Sequence, residues 1–210
     1  MTRKEKATII QKTLVELFPG PQKTPLNHST AWELFVAVVL SAQCTDERVN
    51  IVTKNLFQKY PDISSYAQAS RNELEQDIRS TGFYRSKAKA IQQSARIIQT
   101  RYDGNLPNTM DALLMLPGVG RKTANVLLGH VHNTVEGIAV DTHVRRLARK
   151  YGLTKHTDPN RIEKDLMKLF PKDSWWQVSY RLKAYGRAYS PARKYANETD
   201  PLSKALKKAA

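Results

Sequence analysis

A chain of 210 residues with 40% hydrophobic and 25% charged residues can bury one large core or two small ones, which excludes wholesale disorder. Its formal net charge of +15 selects a polyanionic partner, nucleic acid before membrane, and no apolar run approaches the length of a bilayer-spanning helix. The single cysteine, Cys44, excludes an intramolecular disulfide and any cysteine cluster for zinc or iron–sulfur.

Apolar spacing is helical almost throughout. Ile10, Leu14, Leu17 and Phe18 mark a first helix from about Glu5 to Phe18. Ala31-Trp-Glu-Leu-Phe-Val-Ala-Val-Val-Leu40 is apolar nearly all round, as a central helix or a buried strand would be, but no alternating partner strand follows. Helical stripes continue at Val49, Val52, Leu56 and Phe57, and at Ala88, Ile91, Ala95 and Ile98. They return at Ala124, Leu127, Leu128 and Val131, at Val144, Leu147, Ala148 and Tyr151, and at Ile162, Leu166, Leu169 and Phe170. Breakers separate them at Pro19-Gly-Pro21, Pro61-Asp62, Gly82, Gly104 to Pro107, Pro117 to Gly120, Gly152, Asp158-Pro159 and Pro171. The reading is an all-α protein of roughly nine or ten helices. Ser203 to Ala210 are expected to fray as a basic tail.

The stretch Asn108 to Leu128 carries the most chemistry. A short helix opens with Asn108 or Thr109 as cap candidates and Asp111 in its first turn, and Pro117 ends it. Gly118 and Gly120 permit backbone angles closed to other residues and leave their amides uncovered. A second helix starts near Arg121, so its unpaired N–H groups face the same side as the loop. Such a turn can hold a phosphate without reading sequence; a plain helix–turn–helix corner is the alternative.

Leu116-Pro-Gly-Val-Gly-Arg-Lys-Thr-Ala-Asn125, followed by Ile138-Ala-Val-Asp-Thr-His-Val-Arg145, closely resembles the helix–hairpin–helix glycosylases, and within them the endonuclease III branch. Leu40-Ser-Ala-Gln-Cys-Thr-Asp46 and Thr81-Gly-Phe-Tyr-Arg-Ser-Lys-Ala88 extend the resemblance over most of residues 30–190. It implies a base-excision DNA glycosylase with AP lyase activity by β-elimination, acting on oxidised pyrimidines in damaged double-stranded DNA. It also implies two helical lobes with a cleft between them. Residues 24–134 would form a six-helix domain ending in the hairpin; residues 1–23 and 135–210 would form the second lobe.

By the same resemblance, Lys122 is the nucleophile that attacks the sugar C1′, and Asp141 takes its proton and stabilises the developing positive charge. The helix N-terminus and Arg121 disfavour the Lys122 ammonium, whereas Asp141 favours it, so the two effects oppose each other. A phosphate contact is the plainer role for Lys122, and a helix N-cap for Asp141. Leu116, Gly118, Val119, Gly120, Arg121 and Thr123 would bind DNA through the hairpin. Gln43 would fill the gap left by an extruded nucleotide and Phe83 would wedge the opposite strand. A core position for Phe83 and a cap or surface position for Gln43 stay open. Asp46 and His143 would orient the site from behind, with a buried structural role equally open to His143.

Endonuclease III relatives usually end in four cysteines holding a 4Fe–4S cluster, and the segment after Tyr185-Gly-Arg-Ala188 has none. A colourless enzyme without cluster or metal ligands is expected, with a monovalent cation permitted at the hairpin carbonyls. Trp175, Trp176, Tyr180, Tyr185 and Tyr189 offer aromatic area to order that region instead. A monomer with no membrane association is expected, in the cytoplasm by default, and at the nucleoid if the source is bacterial. Rival readings are a mismatch or 8-oxoguanine glycosylase of a related branch, a non-catalytic hairpin DNA-binding module, and a basic RNA-associated structural protein.

Overall fold

Side-chain caps decide where most of these helices begin. Thr2 accepts the Glu5 amide and Glu5 returns a hydrogen bond to the Thr2 amide, a reciprocal capping box that opens α1 (Arg3–Leu17). Thr30 caps α2 (Ala31–Leu40) and Thr45 caps α3 (Asp46–Lys59). Asp62, read from sequence as part of a breaker, caps α4 (Ile63–Gln68), which α5 (Arg71–Asp77) follows. Phe83 precedes α6 (Tyr84–Arg101), and Thr109 caps α7 (Met110–Leu114). Then come α8 (Arg121–Val131), α9 (Thr142–Lys150), α10 (Pro159–Leu169), α11 (Trp175–Ala188) and α12 (Pro201–Lys208). Asp158-Pro159 and Asp200-Pro201 are each a cap followed by proline in the first helical turn, where the missing N–H costs nothing.

The computed structural model describes residues 1–21, 23–194 and 198–209. The protein is all-α, with no strand among these residues. It has more helices than the periodicity suggests, because α4 and α5 are too short to show a 3.6-residue repeat. The expected fraying tail is also corrected. Residues 203–208 belong to α12, which is capped by Asp200 and buries Leu202 with Leu206 packed beside it; Ala210 lies outside the described residues.

The chain divides into two compact units, residues 24–134 and residues 1–23 with 135–210. In the first, α2 is the central helix: Leu34 to Leu40 are all buried, and α2 packs on α3, α6 and α8. The all-apolar decapeptide is therefore helix, because its neighbours cover every face. Trp32 stacks on Phe35 at 4.9 Å, and Tyr66 packs edge-on to Trp32 at 5.4 Å. In the second unit, Ile10 and Leu14 of α1 join Ile138, Val144, Leu147, Ile162, Leu166, Val178, Leu182 and Leu202 in one core. The apolar stripe of the first helix is buried by helices made at the other end of the chain.

Candidate nucleic-acid interface and active site

In the unit 24–134, three loops meet at one groove. Its walls include Gln43 from the turn after α2, Phe83 and Ser86 from the start of α6, Lys87 and Lys89 from α6, and Pro117 with Gly118 from the hairpin. Phe83 is 63% exposed, so it is not a core residue. Gln43 is exposed and caps no helix. Both have left-handed backbone, with φ of 54° at Gln43 and 49° at Phe83. Such angles are costly for side chains of these types, on the order of 1–2 kcal/mol each.

The hairpin is a tight turn. The Val119 amide donates to the Leu116 carbonyl across 3.1 Å, with Pro117 and Gly118 at the corner and Gly118 at φ 80°. A Cβ on Gly118 would also lie 3.0 Å from the Cβ of Ala90, so the hairpin sits hard against α6. Gly120 corrects the sequence reading. Its φ is −101° and a Cβ there would meet nothing within 4 Å, so no conformational demand requires glycine. Its contribution is to bring no capping side chain to the start of α8, where the helix dipole is positive.

Leu116 and Val119 offer the hairpin's backbone rather than their side chains. They are only 2% and 8% exposed, so their side chains anchor the hairpin in the core and only their backbone is available to DNA. Arg121, Lys122 and Thr123, all half-buried, fill the first turn of α8. Asp46 is buried in the first turn of α3, three residues after Gln43, where a helix N-terminus favours a carboxylate.

In the other unit, Asp141 is the N-cap of α9, its Oδ1 accepting the Val144 amide at 2.8 Å. The apolar residues before it, Ile138 and Val140, are buried and fix the entry of the helix. His143 is half-buried one residue into α9. Arg146 approaches its Nδ1 at 3.2 Å; since a guanidinium only donates, Nδ1 accepts and the imidazole is the neutral form. Burial lowers the His143 pKa below 6.5, the Asp141 carboxylate opposes this, and Arg146, Arg187 and Lys183 reinforce it.

Gly186 of α11 makes room for that ring. A Cβ there would lie 2.5 Å from His143 Nδ1 and 2.9 Å from His143 Cβ, an atom that cannot swing away. Gly186→Ala is therefore expected to cost about 1–3 kcal/mol. Thermal unfolding should show a midpoint several degrees lower, and an unchanged midpoint would mean α9 and α11 separate without cost.

Residues 36–172 match the family described as HhH-GPD superfamily base excision DNA repair protein. The chain belongs to that family. Endonuclease III of Synechocystis sp. is 51% identical over 193 residues, 92% of this chain and 88% of that protein. A solved non-covalent endonuclease III–DNA complex matches 100% of this chain and 99% of its own, with TM-score 0.91 and 40% identity. A trapped endonuclease III–DNA covalent intermediate, an estranged-adenine complex, matches 100% of both chains with TM-score 0.89 and 39% identity. This HhH-GPD protein is accordingly a base-excision DNA glycosylase with AP lyase activity, and DNA is its partner. No helix among the described residues is long and apolar enough to cross a membrane.

The sequence holds one cysteine, too few for a four-cysteine ligand set. It is Cys44, in the unit 24–134, whereas in the other unit of this HhH-GPD protein α9, α11 and α12 meet at one carboxylate. Asp200 accepts hydrogen bonds from Lys150 Nζ at 2.8 Å, Tyr151 OH at 2.7 Å, the Ser203 amide at 3.0 Å and the Ser203 hydroxyl at 2.9 Å, and from Tyr185 OH. Tyr185 OH in turn accepts the Leu202 amide at 3.0 Å. Burial pushes the Tyr151 and Tyr185 hydroxyls well above their usual pKa, which keeps them donors. Of the aromatic residues expected to order this region, Tyr185 is fully buried in the core with its hydroxyl on Asp200, while Tyr189 is 39% exposed. Tyr195 to Asn197 lie outside the described residues.

Asp200, Lys150, Arg146 and Lys87 escaped the sequence reading. Asp-Pro before a short amphipathic run was an available signal for Asp200; the other three look like ordinary surface cations until their burial is known.

Proposed function

We propose that this enzyme removes oxidised pyrimidines from duplex DNA and cleaves the abasic strand by β-elimination, with Lys122 as the amine that forms the Schiff base. One observation supports the reading most directly. Gln43, Phe83 and the Pro117–Gly118 corner line one groove of the unit 24–134, two of them exposed in costly backbone conformations. An exposed ring and an exposed amide suit the space left in a base stack when a nucleotide is extruded. The start of α8, which has no side-chain cap, and its basic first turn suit a phosphate. A non-catalytic hairpin module would need only the last of these.

The amine of Lys122 attacks C1′ as the glycosidic bond breaks, and the C1′–N bond to lysine replaces the C1′–N bond to the base. Asp141 accepts the proton lost from the amine and offsets positive charge at C1′. The base leaves with the electron pair of its bond to C1′ and takes up a proton. The C1′–O4′ bond then opens, O4′ taking a proton, so that C1′ becomes the iminium carbon of the Schiff base; loss of the acidified 2′ proton expels the 3′ phosphate. His143, neutral and propped by Arg146, and Asp46 orient the groups in front of them. The enzyme works without an iron–sulfur cluster, the Asp200 hydrogen-bond set holding the C-terminal segment. A monovalent cation at the hairpin carbonyls is compatible, and no step depends on it. We further propose a monomer located in the cytoplasm.

The test is borohydride trapping on matched duplexes carrying thymine glycol, uracil, 8-oxoguanine or a G:T mismatch. Preferential adduct formation with thymine glycol is the expected result. Preference for 8-oxoguanine or the mismatch would move the enzyme to a related branch, and binding without adduct on any duplex would leave only a DNA-binding module.

A further inference from the structure

Among the described residues, four that are not glycine have positive φ: Gln43, Phe83, Asp103 and Asn133. Aspartate and asparagine tolerate that region, so Asp103 and Asn133 need no special support. Gln43 and Phe83 do, because such conformations persist only where the surroundings over-determine them. They lie in different loops, one after α2 and one before α6. A single side chain ties both loops.

Lys87, on the first turn of α6, is 5% exposed, yet lines the groove. Its Nζ donates to the Leu40 carbonyl and to the Thr81 carbonyl, each at 2.8 Å. Leu40 is the last residue of α2, three positions before Gln43, and its carbonyl is one of those a helix end leaves without an intrahelical partner. Thr81 is two positions before Phe83. A cation there also complements the negative end of the α2 dipole. Burial lowers the Lys87 pKa and Cys44 nearby raises it.

We infer that Lys87 is a positioning residue that fixes the Gln43 turn and the Phe83 turn in register, so that both enter the base stack together. The inference rests on the glycosylase and lyase reading above. Lys87 does not touch the reacting atoms; it sets the spacing of the two side chains that hold the duplex open. Losing that spacing should slow only reactions that need an opened duplex. A displacement of about 1 Å in such a site costs up to roughly 100-fold.

The experiment compares Lys87→Met with wild type by borohydride trapping on two substrates. One is an abasic site in a duplex. The other is the same site in a single strand, where no stack has to be opened. Slowing of roughly 10- to 100-fold on the duplex, with a much smaller effect on the single strand, is expected. Fluorescence of 2-aminopurine placed opposite the site should also rise less on binding. In a Gln43→Ala/Phe83→Ala background the same substitution should add little, since it acts through those residues.

If Lys87→Met does not fold, Lys87→Gln, which keeps one donor group on a shorter arm, is assayed the same way. Equal slowing on both substrates, or full additivity in the doubly substituted background, overturns the proposal. Absence of any adduct with the wild-type protein on either substrate would overturn the lyase reading itself, and the proposal with it.

Discussion

Lys122→Gln is expected to abolish the borohydride-trapped adduct and to reduce strand cleavage by about 10³-fold or more, while duplex binding persists. Lys122 is the second residue of α8, and no side chain caps that helix end. An amine at that position has the backbone of the hairpin on one side and the helix start on the other, so the variant can test the amine alone. Glutamine keeps the length and polarity of the arm and the hairpin backbone, and removes only the nucleophile. A phosphate-binding lysine would behave in the opposite way: the variant would bind more weakly and cleave normally once saturated. Asp141→Asn supplies the matching control, because asparagine caps helices as well as aspartate does. The thermal midpoint should hold while turnover falls; a parallel loss of both would reduce Asp141 to the cap that accepts the Val144 amide.

Asp200→Ala should be the most damaging of the structural substitutions. The carboxylate is nearly inaccessible, as is the ammonium of Lys150 against it at 2.8 Å. Removing one partner of a buried pair leaves the other uncompensated, at a cost of about 3–5 kcal/mol. Two tyrosine hydroxyls and the first turn of α12 lose their acceptor at the same time. For a chain of this size that corresponds to a fall in the thermal midpoint of roughly 10 °C. A pH series adds a second signature. Burial by itself would raise the Asp200 pKa, but Lys150, Tyr185, the Ser203 amide and Tyr151 together hold it well below the ordinary value of 3.8. A depressed carboxylate contributes stability that is present above the unfolded-state pKa and is lost as pH falls below about 4. The wild-type midpoint should therefore drop on acidification more steeply than that of Asp200→Ala, and parallel curves would show that Asp200 is not ionised in the folded protein.

Legibility in the sequence followed distance along the chain. Short-range patterns were readable: the stripes of α1, α6, α8, α9 and α10 point inward as their spacing indicates, and the Pro117–Gly118 corner forms where those two residues stand together. The positions of Lys122 and Asp141 at helix starts were readable for the same reason. Long-range compensation was not. Nothing near Lys87 announces that its ammonium meets carbonyls at positions 40 and 81, nor does the neighbourhood of Lys150 reveal a carboxylate at position 200. Gly186 looks unremarkable until His143, far earlier in the chain, is seen against it. The hairpin shows the mixed case. Glycine at 118 and glycine at 120 read alike, yet only Gly118 needs a positive φ.

The placement of α1 bears on how the chain is made. Its apolar stripe is covered by α10, α11 and α12, so α1 leaves the ribosome long before the helices that bury it. The contacts internal to residues 24–134 are available once position 134 has been synthesised, and that unit can begin to close while translation continues. The intervening unit then acts as a folded insert that brings α1 back to its late partners, shortening the flexible loop whose closure would otherwise oppose the pairing.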